Sequence, residues 1–107
     1  MRHLAAALLL IAPLAAAAVD ARAVFLENCA KCHGDKGDAD TELGVKYMAQ
    51  DFTDPEFKQK FTPAKAKKVI MNGVKKTKMK AWKGLLSPEE IDALASYVMQ
   101  FPAAEKK

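Results

Sequence analysis

Residues 28 to 37 read NCAKCHGDKG and hold both cysteines of the chain and one of its two histidines. Three chemistries use a Cys-x-x-Cys spacing: a redox dithiol, half of a zinc site, or an attachment point for haem. A thiol oxidoreductase opens a helix at its first cysteine, because the helix N-terminus lowers the thiolate pKa. Here the residues before Cys29 read as helix, so the cysteines fall at its C-terminal end. A structural zinc site takes four ligands. Cys29, Cys32 and His33 make three, and the other histidine, His3, lies in a segment expected to be removed. Cys-x-x-Cys-His is the c-type haem attachment signature. Each thiol adds to one vinyl group as a thioether, and His33 ligates the iron from below. The reading is therefore one covalently bound haem c.

The iron's sixth position decides between electron transfer and ligand chemistry. With His3 removed, no second histidine is left, and the candidates are the thioethers of Met48, Met71, Met79 and Met99. Met79 is favoured because it lies in a loop between two helices, where backbone can approach the iron from the far side. The ordinary role of the other methionines is core filling. Trp82 either hydrogen-bonds a haem propionate or packs against the ring, the commoner role for such an aromatic.

Helices must position these groups. The first starts at Asp20, an N-cap residue, and runs through ARAVFLENCAKCH to Gly34, which ends it in a left-handed conformation. Ala21, Val24, Phe25, Asn28, Cys29 and Cys32 share one stripe, so the cysteines face the core. Residues 34 to 40 are a loop. TELGVKYMAQ is a short helix weakened by Gly44. DFTDPEF reads as a turn around Asp54-Pro55. Thr62-Pro63 opens a helix that ends at Gly73 and buries Ala66, Val69 and Ile70. The last helix begins with a capping box, Ser87 to Glu90. Its stripe is Ile91, Leu94, Ala95, Val98 and Phe101, and Pro102 stops it. Phe25, Tyr97 and Phe101 are read as helix contacts, and Tyr47 and Phe52 as lining the propionate side. No strand pattern or repeat is present.

Of the 107 residues, 1 to 18 read as a secretory signal peptide, and 19 to 107 as one domain. Arg2 and His3 start it, an apolar run follows, and Ala15 to Ala18 offer small residues for cleavage after Ala16 or Ala18. Leu4 to Val19 is shorter than the ~20 residues that span a bilayer, which argues against a retained anchor. The expected location is the periplasm. A core this small is marginal, and a covalently bound macrocycle would supply apolar surface to fold around.

The chain is similar to the small monohaem class I cytochromes c. CAKCHG, DFTDPEF, VIMNG, MKAW and LSPEEIDALASYV carry the resemblance, from Asp20 to Phe101. It implies an all-α fold, three to four helices packed around one haem, with the first and last helices in contact. It implies Cys29 and Cys32 as the thioether pair and His33 and Met79 as axial ligands. Two positions depart from the pattern. Lys80 stands where many relatives have proline after the ligand methionine. No proline lies between His33 and Pro55 to orient the histidine through its carbonyl. The partner of the second imidazole nitrogen is left open, and some hydrogen-bonding group is expected.

Histidine plus methionine leaves no coordination position vacant, so the implied task is one-electron transfer between redox proteins, with no enzymatic activity. A peroxidase-like or gas-binding haem would need Met79 unbound and a distal acid–base residue. A subunit of a larger redox enzyme or oxidase would use the same domain. From Phe57 to Pro88 there are ten lysines and no acid, whereas Asp20 to Glu56 carries nine acids against four basic residues. Lys75, Lys76, Lys78, Lys80 and Lys83 flank Met79. They are read as a face that steers toward an acidic partner, or as a solvated surface. Anionic headgroups are a weaker attraction, nucleic acid is not an expected partner of an exported chain, and the expected state is a monomer.

Overall fold

Helix starts in this chain are written in side-chain caps, and nearly every one forms. The computed structural model describes residues 2–11 and 18–105, and among these it contains six helices and no strand. They are α1 (Ala21–Asn28), α2 (Ala30–His33), α3 (Glu42–Lys46), α4 (Pro55–Lys60), α5 (Pro63–Asn72) and α6 (Pro88–Val98). Of the cleavage stretch Ala15 to Ala18, residues 15 to 17 lie outside the described residues. No helix among those described is long and apolar enough to cross a membrane.

Asp20 caps α1 by accepting from the Ala23 N–H, and Thr62 caps α5 by accepting from the Lys65 N–H. Ser87 and Glu90 satisfy each other's backbone N–H groups at the start of α6, so two of its orphan donors are paired. The long first helix is divided at Cys29, and α2 carries the segment on to His33 and Gly34. The stretch read as a turn around Asp54-Pro55 is a helix, α4. Asp54 accepts from the Glu56 N–H and Pro55 sits in the first turn, the same start signal as in α5. Phe57 and Phe61, one turn apart, stack at 4.6 Å. The last helix ends at Val98, so Phe101 lies beyond it.

The core forms where α1 and α5 pack on α6. Phe25 and Leu94 are fully buried, and Ala66, Ala95 and Val98 fill in around them. Phe25 meets Tyr97 at 5.2 Å and Phe101 at 5.3 Å. Lys58 ties α4 to the end of α6: its Nζ donates to the Met99 carbonyl at 3.0 Å and to that of Phe101. It thereby pairs the carbonyl of the C-cap residue Met99 and that of Phe101 just past the helix.

Gly44 lies closest to its surroundings of the glycines in the described residues. An added Cβ would lie 2.3 Å from both the Cys32 and Ala39 carbonyl oxygens. Thr41 completes this junction, donating to the Cys32 carbonyl at 3.0 Å and accepting from the Gly44 N–H at 2.8 Å. Helix propensity alone favours alanine at position 44, yet packing decides the sign. Gly44→Ala is expected to destabilise the protein by about 1–3 kcal/mol, read from the denaturant midpoint.

Candidate functional site

Cys29, Cys32 and His33 from α1 and α2 and Met79 from the α5–α6 loop line one cavity of about 470 Å³. That volume is in the range of cofactor sites. Its walls include Phe25, Phe52, Phe57, Ala66, Val69, Ile70, Leu94 and Val98, so core side chains and site side chains share one surface. No carboxylate and no second histidine lines it among the described residues.

The thiols are free and half-buried. Burial, and then the neighbouring Cys32, push the Cys29 thiol up to about 11. Cys29 is the C-cap of α1, away from the N-terminal field that would activate a thiolate. This is the reverse of a redox dithiol. Nor do the described residues contain a group of three or more His, Cys, Asp or Glu able to hold a metal ion.

His33 has the partner that the sequence left open. Its Nδ1 lies 2.9 Å from the Gln50 carbonyl oxygen. A carbonyl only accepts, so Nδ1 carries the proton and Nε2 keeps its lone pair. Phe52 stacks on the imidazole at 4.6 Å and 19°. Burial lowers the His33 pKa, and the bond to Gln50 opposes that in part. The ring is thus held neutral, in one tautomer and one orientation, as a metal ligand must be. Gln50 acts through its main chain, so no residue-type signal marked it.

Of the four methionines, only Met48 and Met79 line the cavity; Met99 packs against the core cluster. Met48 is 89% exposed at φ +53° and shares a short stretch with Gln50. Met79 is held by its own main chain: its carbonyl accepts from the Val74 N–H at 2.9 Å. Trp82 also lines the cavity, as do Tyr47 and Phe52.

Lysines stand at the mouth. Lys31, Lys78 and Lys80 are exposed and line the cavity. Lys78 Nζ lies 5.6 Å from the Tyr47 ring centroid and Lys80 Nζ 4.5 Å from that of Trp82. Other lysines are engaged elsewhere: Lys60 pairs with Glu56 at 2.6 Å, Lys67 with Asp92 at 2.7 Å, and Lys58 caps α6. The basic face is therefore narrower than the count of ten suggests.

Two thiols one turn apart, a tethered neutral imidazole, a thioether and apolar walls fit a haem. The comparisons agree. Residues 16–98 match the family model for cytochrome c oxidase, cbb3-type, subunit III. The chain is 37% identical over 75 residues to the cbb3-type cytochrome c oxidase subunit FixP of Bradyrhizobium diazoefficiens, covering 70% of this chain and 24% of that protein. It thus spans about a quarter of the length of the FixP relatives it matches. It is 34% identical over 89 residues to cytochrome c6 of Anabaena variabilis, covering 83% of this chain and 96% of that one. Among solved structures, the KustC0563 c-type cytochrome superposes with a TM-score of 0.72 at 32% identity, covering 78% of this chain and 99% of that one. Dihydro-heme d1 dehydrogenase NirN in complex with DHE gives 0.63 at 28%, covering 81% of this chain and 17% of that one. The chain belongs to the cbb3-type subunit III family of class I c-type cytochrome domains, and is a small monohaem cytochrome c with one covalently bound haem c.

Proposed function

We propose that this electron-carrying cytochrome binds its haem through Cys29 and Cys32, and that His33 Nε2 and Met79 Sδ are the axial ligands, in the periplasm after residues 1 to 18 are removed. When bound, the haem supplies a one-electron change at iron. The rest is the work of the chain. Gln50 and Phe52 hold the His33 ring still, and the end of α5 holds the Met79 loop. A thioether ligand and apolar walls both favour the ferrous form, so the potential is raised. Trp82, which lines the cavity, would pack against the ring. The observation that carries this reading is the convergence of both thiols, the tethered imidazole and Met79 on one cavity. Met48 is the weaker candidate, since it shares its stretch with the group that holds His33.

The absence of any carboxylate or second histidine among the described lining residues supports a non-enzymatic carrier. Lys75, Lys76, Lys78, Lys80 and Lys83 are exposed around Met79 and support docking to an acidic redox partner, by a monomer. Val45 and Met48 are 69% and 89% exposed in the stretch beside Tyr47, and supply an apolar centre for that contact. Anionic headgroups would compete only weakly.

The test is the spectrum of the exported protein in both oxidation states, with its mass. A low-spin iron, a far-red sulfur-to-iron band in the ferric form and the mass of one haem are expected. A high-spin ferric spectrum would overturn the ligand set. Transfer to an acidic partner should slow as salt rises through the range where the Debye length falls from ~10 to ~3 Å; a salt-independent rate would remove charge docking. The similarity to FixP favours a second reading, a subunit of an oxidase, which co-purification at physiological salt would reveal.

A further inference from the structure

Lys80 follows Met79 where a proline would stiffen the chain, yet the loop is pinned on both sides of Met79. Before it, Thr77 Oγ1 accepts from the Met79 N–H at 3.1 Å and donates to the Val74 carbonyl at 2.8 Å. Beneath it, Gly73 sits at φ +67°, and an added Cβ would lie 2.7 Å from Met79 O, Lys80 C and Ala81 N. After it, the Trp82 N–H donates to the Ile70 carbonyl at 2.9 Å, so the residue bearing the indole is anchored to α5 by main chain. Two residues, Lys80 and Ala81, separate the Met79 backbone from that anchor, and although they pack on Gly73 neither makes a main-chain hydrogen bond among the described residues.

Lys80 closes this gap. Its Nζ lies 4.5 Å from the Trp82 ring centroid, inside the range where a cation is attracted to an indole face. No acid lies between Phe57 and Pro88 to draw it away in sequence, and the two ion pairs found among the described residues use Lys60 and Lys67. We propose that Lys80 is a positioning residue for the Met79 thioether: its ammonium, folded over Trp82, restrains residues 80 and 81 and so holds the sulfur in the cavity. This rests on the reading of Met79 as axial ligand. Proline would restrict the backbone by its ring; lysine restricts it by a side-chain strut to an anchored aromatic. An exposed cation–π contact shifts an equilibrium by about two- to five-fold, so the loop should open that much more often without it.

Neutral imidazole is the suitable probe, because its binding to ferric iron competes with the thioether and responds little to the loss of one protein charge. Lys80→Gln should bind imidazole about two- to five-fold more tightly than wild type and lose part of the sulfur-to-iron band, while its thermal midpoint falls by no more than a few degrees. Lys80→Arg, which keeps a cation able to stack on the indole, should restore both. Wild-type affinity and band in Lys80→Gln would overturn the proposal, as would an arginine variant that behaves like the glutamine one. A wild-type protein without the sulfur band would instead remove the assignment of Met79, and the proposal with it.

Discussion

Met79→Ala is expected to keep its haem covalently attached, lose the sulfur-to-iron band, bind carbon monoxide in the ferrous form and fall in potential. The fall should be on the order of 0.1 V or more, a fraction of the ~0.8 V over which axial ligands set haem potentials. On this proposal attachment depends on Cys29, at the junction of α1 and α2, and on Cys32 in α2, which share no hydrogen bond with the Met79 side chain. The loop's own main-chain bonds, Val74 to Met79 and Trp82 to Ile70, survive the substitution. What is removed is one polarisable sulfur that favours ferrous over ferric iron. Met48→Ala is the control, because Met48 is the other thioether lining the cavity. It should leave band and potential alone. If Met48→Ala produced the loss and Met79→Ala did not, the ligand assignment would move to position 48. Redox titration with spectroscopic readout of both variants decides it.

Which features were legible in the sequence follows from the range of the interactions that make them. Caps are local. Asp20, Thr62-Pro63 and Ser87-Pro88-Glu90 announce helix starts because side chain and backbone partner lie within three residues. Cys-x-x-Cys-His is equally local. Helix α4 carried the same kind of start, a capping residue followed by proline, but six residues are too few for a periodic stripe, and Asp-Pro also begins turns. What identifies α4 as a helix is the packing of Phe57 and Phe61, which is tertiary.

The features that stayed hidden depend on main-chain groups or on distant partners. Gly44 read as a helix weakness, whereas its missing Cβ is what lets α3 lie on the Cys32 carbonyl. Gln50 orients His33 through a carbonyl that any residue type would carry. Lys58 counted as surface charge until its bonds to Met99 and Phe101, more than forty positions away, were seen. Charge counts therefore overstate a docking face wherever lysines cap helices or pair internally.

A Cys29→Ala/Cys32→Ala chain purified free of tetrapyrrole is expected to keep part of its helix but lose fixed tertiary packing. The cavity is the reason. It measures about 470 Å³, is lined mainly by apolar side chains and opens to solvent. With no macrocycle in place, water enters and wets the same leucine, valine and phenylalanine walls that α1, α5 and α6 present to one another, and a domain this small has little stability to spare. Among the described residues the most deeply buried side chains, Phe25 and Leu94, both line the cavity, as do Phe52, Phe57, Ala66 and Val98, so most of the core depends on what fills it. Truncating two half-buried thiols is far too small a change to unfold the chain by itself. Near-ultraviolet circular dichroism from Trp82 and the tyrosines should therefore vanish while far-ultraviolet helix signal persists, without a cooperative thermal transition. Haem added back without covalent bonds should restore that transition through His33, Met79 and the apolar walls. A sharp melt before haem is added would show that the helices hold one another unaided, and that the cavity walls are not the centre of this fold.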